Sequence, residues 1–297
     1  MKTLQFLISR NVKLFFKDKG MFFTSLITPA ILLLLYATFL GNVYESGFLA
    51  ALPTGLPMAE EFINGCVGGQ LISSILAVSC VTVSFCSNML SVQDKAVGTI
   101  RDFRVSPVNP SILALSYFAA SLISTLIISF AATALCLGYI AFTGWYFSVS
   151  DVLLLFIDVV LLCLFGTALS SIINHFLSTQ GQISAVGSIV SSCYGFICGA
   201  YMPISQFSEG LQKVISFLPG TYGTSLVRNH SLQGVLREME LQGYPEEAIE
   251  GIKTVVDCNL QFFHHTVSVP AMYAVLGVTV VLLISIFILL NFRKEKR

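Results

Sequence analysis

Charged residues are scarce in this sequence. Asp, Glu, Lys and Arg make up 11% of the 297 residues, whereas hydrophobic residues make up 55% and the mean hydropathy is +0.82. A soluble globular domain carries roughly a quarter charged residues, because its surface has to be polar enough to face water. This shortage argues against an ordinary water-soluble protein and predicts a protein whose main solvent is lipid.

Several motifs that carry chemistry are also absent. The sequence has no G-x-x-x-x-G-K-[ST] phosphate-binding loop, no H-E-x-x-H metal motif, no G-x-S-x-G nucleophile motif and no C-x-x-C pair. The eight cysteines lie at no spacing that suits zinc. We therefore expect no enzymatic activity and no cofactor in this chain. The formal net charge is zero, so no overall field indicates nucleic acid as a partner.

The hydrophobic residues are concentrated in six long segments. A membrane-spanning helix needs about twenty mostly apolar residues. The segments that satisfy this condition are Met21–Leu40, about Gly68–Val92, Ser111 to about Phe142, about Val152–Ile173, about Gln182–Met202 and Val267–Phe292. A Gly-Trp-Tyr turn at 144–146 separates the third from the fourth. We predict an all-α membrane protein with six transmembrane helices in a single domain, 1–297.

Basic residues are distributed unevenly along the chain. Twelve of the 16 Lys and Arg residues lie in the N-terminal segment, in the loop between the second and third spans, or in the C-terminal tail. The other four lie on the opposite side of the predicted membrane, together with eleven acidic residues. The positive-inside rule therefore predicts a multi-pass protein of the cell membrane with both termini in the cytoplasm.

Residues 1–19 have the pattern of an amphipathic helix. Helical spacing places several apolar residues on one face: Leu4, Ile8, Val12, Phe15 and Phe16. Arg10, Lys13 and Lys17 lie nearly opposite. Because a basic amphipathic helix suits the lipid headgroup layer, we predict an interfacial helix. The alternative is a basic flank that only sets the orientation of the first span.

The predicted cytoplasmic loop 93–110 concentrates charges of both signs. Pro107 and Pro110 mark the start of the third span, and Asp94–Arg104 has a length and polarity that suit a short helix projecting from the membrane. Composition alone favours the simpler interpretation, in which this is an ordinary loop that sets topology.

Residues 203–266 form the longest polar stretch, on the predicted outer side. Its apolar pieces, such as Leu211–Leu218, are too short to span a membrane, so we expect short re-entrant helices between spans five and six. A surface helix is predicted after Pro245. Its apolar stripe consists of Ile249, Ile252, Val256 and Leu260.

Three stretches resemble the permease subunits of type-2 ABC exporters. The first is K-D-K-G-M-F-F followed by T-P-A-I-L-L-L-L-Y-A-T-F-L-G, similar to the family's basic juxtamembrane segment and proline-containing first span. The second is D-K-A-V-G-T-I-R-D-F-R-V-S-P, similar to its charged loop that ends in Ser-Pro. The third is G-A-Y-M-P-I with the later L-P-G-T-Y and L-V-R, similar to the motif after span five and the re-entrant pair.

The resemblance implies a permease energised by a separate ATP-binding-cassette ATPase, which would hold ATP and magnesium. It implies a second permease copy or paralogue, with a translocation pathway between the two and membrane lipid around them. It also implies that the loop 93–110 holds a coupling helix that docks on the ATPase. The implied coupling residues are Asp94, Lys95, Gly98, Thr99, Arg101, Asp102, Phe103 and Arg104.

Polar residues inside the predicted spans are candidates for the lining of the pathway. They are Ser73, Ser74, Thr82, Ser84, Asn88 and Asp158. Ser and Thr also serve helix packing, and Asp158 either faces a wet cavity or pairs with another polar group. The low charge of the spans favours a hydrophobic or amphipathic substrate, such as a drug, a lipid-like compound or a peptide. The competing function is a secondary transporter or channel without an ATPase partner, and a membrane enzyme is disfavoured by the missing motifs.

Overall fold

The computed structural model describes residues 2–53, 57–105, 108–263 and 265–295, which are helical almost throughout. The helices are α1 (Lys2–Lys17), α2 (Lys19–Leu35), α3 (Gly41–Ala51), α4 (Glu60–Ala96), α5 (Thr99–Val105), α6 (Pro110–Thr143), α7 (Val149–Phe176), α8 (Gln180–Ile197), α9 (Glu209–Ile215), α10 (Pro219–Leu241), α11 (Glu246–Val255) and α12 (Val269–Glu295). A π-helical turn (Tyr36–Leu40) joins α2 to α3. Two short antiparallel strands, β1 (Gln261–Phe262) and β2 (His265–Thr266), precede α12. The predicted all-α class is confirmed.

Five helical stretches of the described residues are long and apolar enough to cross a membrane. They are Lys19–Ala51, Glu60–Ala96, Pro110–Phe142, Val149–Phe176 and Val269–Asn291. These stretches correspond to the first four predicted spans and the sixth. The predicted fifth span corresponds to α8, an 18-residue helix that is not among the five. It ends at Ile197, short of the predicted Met202, because Gly199 has a φ of +75° and turns the chain out of the helix.

Helix α4 forms the centre of the bundle. In its most apolar window 89% of the residues are buried, compared with 17% for α12 at the periphery. Helices α2, α6, α7, α8 and α10 all pack against it. A helix that is enclosed in this way has no face for solvent, so each polar side chain on it needs a partner within the bundle.

The N-terminal helix α1 packs along α6 and runs from Lys2 to Lys17, close to the predicted bounds. Its most buried residues are Leu7, Asn11 and Phe15. The buried stripe therefore includes a polar residue, whereas the sequence pattern pointed to an entirely apolar face. Asn11 is accommodated because its Nδ2 donates to Ser116 Oγ on α6 at 3.4 Å.

The segment between α8 and α12 differs in part from the expectation. Helix α9 is short, as expected, but α10 extends over 23 residues and is buried along most of its length. It starts with Pro219 in the first turn and stays helical through a polar sequence, because its buried polar groups find partners in neighbouring helices. The helix predicted after Pro245 is present as α11, with Ile249 and Ile252 buried.

Distant parts of the chain meet at the two ends of the bundle. At one end Arg10 of α1 binds Asp94 near the end of α4, and the ring of Phe118 near the start of α6 lies 5.2 Å from Phe287 near the end of α12. At the other end the ring of Phe62 lies 5.8 Å from Tyr146 and 5.7 Å from Tyr244. Helix α1 and the described end of α12 therefore lie at the same end as α5.

Close approach of α4 to α10 depends on a glycine. A Cβ atom at Gly69 would lie 2.7 Å from Leu232 Cδ2 and 2.8 Å from the carbonyl oxygen of Ser231, whereas at the adjacent Gly68 it would meet nothing within 4 Å. We predict that Gly69→Ala lowers the stability of the purified protein by about 2 kcal/mol, because overpacking outweighs the better helix propensity of alanine. Gly68→Ala is the matched control and is expected to leave stability unchanged or raised. Thermal unfolding in detergent measures both, and equal unfolding temperatures would contradict this packing.

Candidate functional site

The segment that resembles a coupling loop folds as a turn followed by a short helix. Helix α4 ends at Ala96, and Gly98 has a φ of +89°, which side chains other than glycine rarely adopt. Helix α5 then runs from Thr99 to Val105. The next helix is capped by Asn109, whose Oδ1 accepts from the backbone N–H of Ser111 at 2.8 Å. A short helix is thus present at the predicted place, although Ser106, Pro107 and the side chain of Arg104 lie outside the described part of the chain.

Asp94, a predicted contact to the ATPase, lies inside the chain. Its Oδ2 accepts hydrogen bonds from Arg10 Nη1 at 2.8 Å and from the Tyr117 hydroxyl at 2.5 Å. Burial of the Arg10 guanidinium opposes its charge, but the hydrogen bond and the charge of Asp94 outweigh this effect and raise the pKa of Arg10. Asp94 therefore ties α1 and α6 to the end of α4 and presents little surface to a partner.

Lys95 is also used within the chain. Its ammonium group donates to three backbone carbonyls at the end of α7, those of Asn174 at 2.7 Å, His175 at 3.1 Å and Leu177 at 3.1 Å. The last carbonyls of a helix have no partner within the helix and attract positive charge. Lys95 thus fastens the end of α4 to the end of α7.

Helix α5 has an inner and an outer face. Phe103 lies on the inner face, half-buried, with the guanidinium of Arg10 5.3 Å from the centre of its ring. Thr99 is also half-buried. The outer face carries Arg101 and Asp102, both exposed, and Val105, which is 89% exposed. Of the predicted coupling residues whose side chains are described, only Arg101 and Asp102 are therefore freely presented.

The predicted pathway residues of α4 are buried within one chain. Ser74 and Thr82 are almost fully buried, and Thr82 Oγ1 donates back to the carbonyl of Val78 at 2.9 Å. Ser73 makes a similar bond to the carbonyl of Gln70 at 2.8 Å. Asn88 Nδ2 donates to two hydroxyls of α7, Ser171 Oγ at 2.6 Å and Ser170 Oγ at 3.0 Å. These contacts favour the packing role.

A seam of hydroxyl groups joins α4 to α6 and α7. Ser87 Oγ lies 2.6 Å from Ser121 Oγ and 3.2 Å from Thr125 Oγ1, both on α6. Ser84 Oγ lies 3.4 Å from Thr167 Oγ1 on α7 and donates to the carbonyl of Cys80 at 2.7 Å. Small hydroxyl side chains let helices approach closely while satisfying one another in an apolar surrounding. The seam holds the three central helices at fixed rotation.

Asp158 belongs to a separate buried cluster. Its Oδ2 lies 2.6 Å from His230 Nδ1 on α10, and its Oδ1 accepts from the Tyr273 hydroxyl on α12 at 2.5 Å. The side chain of Asp158 has no exposed surface. Twelve residues of α7, about 18 Å of helix, separate Asp158 from Ser170 beside Asn88, so the predicted pathway residues do not form one site. Asp158 links three helices by polar bonds.

A second buried charge, that of Arg228, lies toward the other end of the bundle. Arg228 is 1% exposed, and its Nη2 donates to the carbonyl of Gly199 at 2.7 Å, while its Nη1 lies 3.7 Å from Asp257 Oδ2. The Asp257 carboxylate also accepts from the backbone N–H groups of Ile204 and Ser205, the latter at 3.2 Å. Burial raises the pKa of the Asp257 carboxyl, and the charge of Arg228 and these N–H donors act in the opposite direction. This clasp joins the ends of α8 and α11 to α10.

The family model for the ABC-2 type transporter matches residues 2–231, which is most of the chain and includes α5, Asp158 and His230. This chain belongs to the ABC-2 type transporter family. No curated protein matches it. Membership makes the chain a multi-pass membrane protein and an ABC permease subunit, of a family that works in general with an ABC ATPase. Within the described residues of this permease, no group of three His, Cys, Asp or Glu residues is placed to hold a metal ion.

Sequence reasoning missed several polar residues of the permease that have partners far away in the chain. Arg10 was assigned to the polar face of α1, and neither Tyr117 nor Tyr273 stood out. The one available signal was Arg228 with His230, two basic side chains close together in a segment with few other charges. Buried charge of this kind indicates a partner nearby but does not identify it.

The cluster around Asp158 yields a stability prediction. Asp158→Ala leaves His230 and Tyr273 without a partner, so we expect a loss of about 3 kcal/mol in the stability of the permease. Asp158→Asn retains one acceptor and is expected to cost less. Tyr273→Phe removes the hydroxyl that Asp158→Ala leaves without an acceptor. The double variant Asp158→Ala with Tyr273→Phe should therefore lose less stability than the sum of the losses of the two single variants. Thermal unfolding compares the four variants with the parent protein, and strictly additive losses would contradict the cluster.

Proposed function

We propose that this permease is the membrane-spanning subunit of an ATP-driven exporter, energised by a separate ATPase chain that holds ATP and magnesium. The observation that carries the proposal is α5, a short helix set between two long helices and fastened to the bundle on its inner side. A helix of this kind is suited to transmit the movement of a bound partner to the bundle. The family match supports the presence of such a partner in general.

The outer face of α5 is the proposed docking surface. Val105 is 89% exposed, next to the exposed Arg101 and Asp102, and Val97 in the turn before α5 is 71% exposed. Two apolar side chains with charges of both signs fit an interface in which apolar groups provide contact area and charges fix the register. Asp94, Lys95, Gly98 and Phe103 are assigned a different role, which is to position α5 against the bundle.

A displacement of α5 by the ATPase would be transmitted to the bundle through the contacts on the inner side of α5. Phe103 rests under Arg10, which binds Asp94, and Asp94 accepts from Tyr117 of α6. Lys95 connects the same end of α4 to α7. A displacement of α5 would therefore move four helices together, because polar bonds in an apolar surrounding resist separation.

We assign six spans to the membrane, with α8 as the fifth and both termini in the cytoplasm. Helix α8 has no charged residue, and its exposed Ile189 and Phe196 suit lipid or another protein. The basic residues of α1 and of the α4–α6 connection lie at one end of the bundle, which supports this orientation through the positive-inside rule. Helix α1 would then lie in the headgroup layer. Helix α9 and the turn after it, with Val214 and Phe217 exposed, would dip into the outer leaflet.

A second permease copy would complete the pathway. Helix α8 presents Ser184, Ser188 and Ser192 at a spacing of four residues, all exposed in the single chain. We assign this stripe to the contact with the second copy or paralogue, because small hydroxyl side chains permit close helix approach. A hydrophobic or amphipathic substrate, such as a drug, a lipid-like compound or a peptide, fits a pathway between such weakly charged helices.

The coupling role is tested by exchanging the charges of α5. Arg101→Glu with Asp102→Lys keeps the net charge, and both side chains are exposed, so insertion and stability should be unchanged. We expect binding of the ATPase subunit to weaken about tenfold or more, or ATP hydrolysis to continue without transport, because the register of charges is reversed. Co-purification and transport in proteoliposomes measure these effects.

A control outside α5 is Glu246→Lys with Glu247→Lys on α11, which also replaces two exposed charged side chains. These residues are also exposed and lie beyond the opposite end of the bundle, so ATPase binding should be unaffected. Normal binding and transport by the α5 variant would refute the docking surface. Asp94→Lys is unsuitable as a test because it would break the buried pair with Arg10.

The orientation is tested by labelling single cysteines with a membrane-impermeant thiol reagent. Lys13 and Asp102 are expected to be labelled from the cytoplasmic side, and Ser150 and Glu247 from the opposite side. All four positions are exposed, so access within the folded protein is not limiting. Labelling of positions 102 and 247 from the same side would contradict the six-span arrangement.

A further inference from the structure

Helix α3 is attached to the bundle by few side chains, at the end opposite α5. Of its 11 residues only Tyr44 and Phe48 are buried, and the centres of their rings lie 6.4 Å apart. Val43 and Leu49 are exposed. An element that buries so little apolar surface separates from its neighbours at a lower cost in free energy than a central helix does.

The joints on both sides of α3 suit a hinge. At its start, the π-helical turn Tyr36–Leu40 interrupts the regular α-helical hydrogen bonds, and helices bend at such turns. The Tyr36 hydroxyl donates to the carbonyl of Val67 on α4 and so ties the turn to the bundle. At the other end Leu52 is extended and terminates the helix. Movement of α3 about these two points leaves α2 and α4 in place.

Three polar side chains meet beneath α3 with too few partners. Gln70 on α4 has no exposed surface, and within the described residues neither its Oε1 nor its Nε2 makes a hydrogen bond. The Tyr44 hydroxyl lies beside this amide, but no bond of ordinary geometry joins them. Arg228 on α10 is close enough for its charge to act on the same hydroxyl, and its Nε has no partner in the described part of the chain. Water would supply the missing hydrogen bonds, so hydration favours a displaced α3.

Close packing against α11 favours the opposite position. A Cβ atom at Gly251 would lie 2.8 Å from the carbonyl oxygen of Ala51 at the end of α3, and a Cβ atom at Gly47 would lie 3.2 Å from Val255 Cγ1. The two glycines therefore let α3 and α11 approach closely. This contact and the burial of Phe48 stabilise the closed position, whereas the unpaired polar atoms destabilise it. Two positions of α3 are therefore close in free energy.

We propose that α3 is a lid that opens and closes over Gln70, Tyr44 and Arg228. In the closed position these polar groups are sealed from water. In the open position water reaches them from the end of the bundle opposite α5, while the bonds between Arg228 and its partners in the clasp stay in place. The position of α3 thus determines whether the charge of Arg228 is hydrated. The lid requires neither the ATPase nor a substrate.

The native Cys66 reports the position of the lid. It lies one turn from Gln70 on the same face of α4 and has no exposed surface, so a thiol reagent reaches it only when α3 moves. Cys80 and Cys163 are equally buried but belong to another apolar cluster, in the centre of the bundle, and serve as internal references. The test follows labelling by N-ethylmaleimide of the purified full-length chain in detergent, without ATP or a partner. Mass spectrometry of peptides gives the rate at each cysteine.

In the parent chain we expect Cys66 to be labelled at least about tenfold faster than the two references, because opening the lid costs less than opening the bundle. Gly251→Ala should speed labelling of Cys66 about tenfold, because the added Cβ atom disturbs the contact that holds the lid closed. Gln70→Leu should slow it about tenfold, because the closed position no longer buries an unpaired amide. Gly210→Ala on α9 is the control, since a Cβ atom there meets no described atom within 4 Å, and it should behave like the parent chain.

The proposal is overturned if Cys66 of the parent chain is labelled no faster than the references. It is also overturned if Gln70→Leu leaves the rate unchanged, which is the result expected if ordered water already satisfies the amide in the closed position. Equal acceleration of all three cysteines in Gly251→Ala would mean that the whole bundle opens, and would contradict the lid as well. Should Gln70→Leu fail to fold, Tyr44→Phe removes one unpaired hydroxyl and should slow labelling of Cys66 about threefold. An unchanged rate in that variant overturns the proposal in the same way.

Discussion

Polar side chains inside a membrane bundle have no bulk water to bind, so they need hydrogen-bond partners within the protein. In this permease the need is greatest on α4. This helix is enclosed by five others, so Ser84, Ser87 and Asn88 have to pair with groups on α6 and α7. Each pair forms only when the helices have one particular rotation. The arrangement of the central helices is therefore fixed by a few short polar bonds within a large apolar contact.

The same requirement explains how the ends of the bundle differ. At the end that carries α5, charged residues pair across helices but stay close to the surface, as the partly exposed Arg10 shows. At the other end Arg228 is fully buried and depends on backbone carbonyl and carboxylate partners. Partly exposed pairs are easier to rearrange than buried ones. Movement is thus more readily accommodated near α5 than near the clasp formed by Arg228.

Long apolar runs with at most one charged residue made α2, α6, α7 and α12 predictable from the sequence. Such runs need no partner to be stable in lipid, so local composition is enough to identify them. The length and burial of α10 were not predicted, because its stability in the bundle depends on Asp158 and Asp257, which are distant in the chain. A polar segment of this kind has the same local composition whether it lies in water or is buried with partners.

The candidate site was predictable in position but not in detail. The cluster of charges at Asp94–Arg104 and its resemblance to the family's charged loop located α5 within a few residues. The sequence did not reveal that Asp94 and Lys95 point inward, since this depends on Arg10 and on the end of α7. Charged residues near a membrane surface appear available for a partner until their neighbours in the fold are known.

The clasp at Arg228 has a consequence for the order in which the protein is made. One partner, Gly199, precedes Arg228 in the chain, but the other, Asp257, is synthesised later. Until Asp257 has left the ribosome, α10 carries a guanidinium that lipid solvates poorly. The partners that compensate this charge are therefore complete only after α11 has been made.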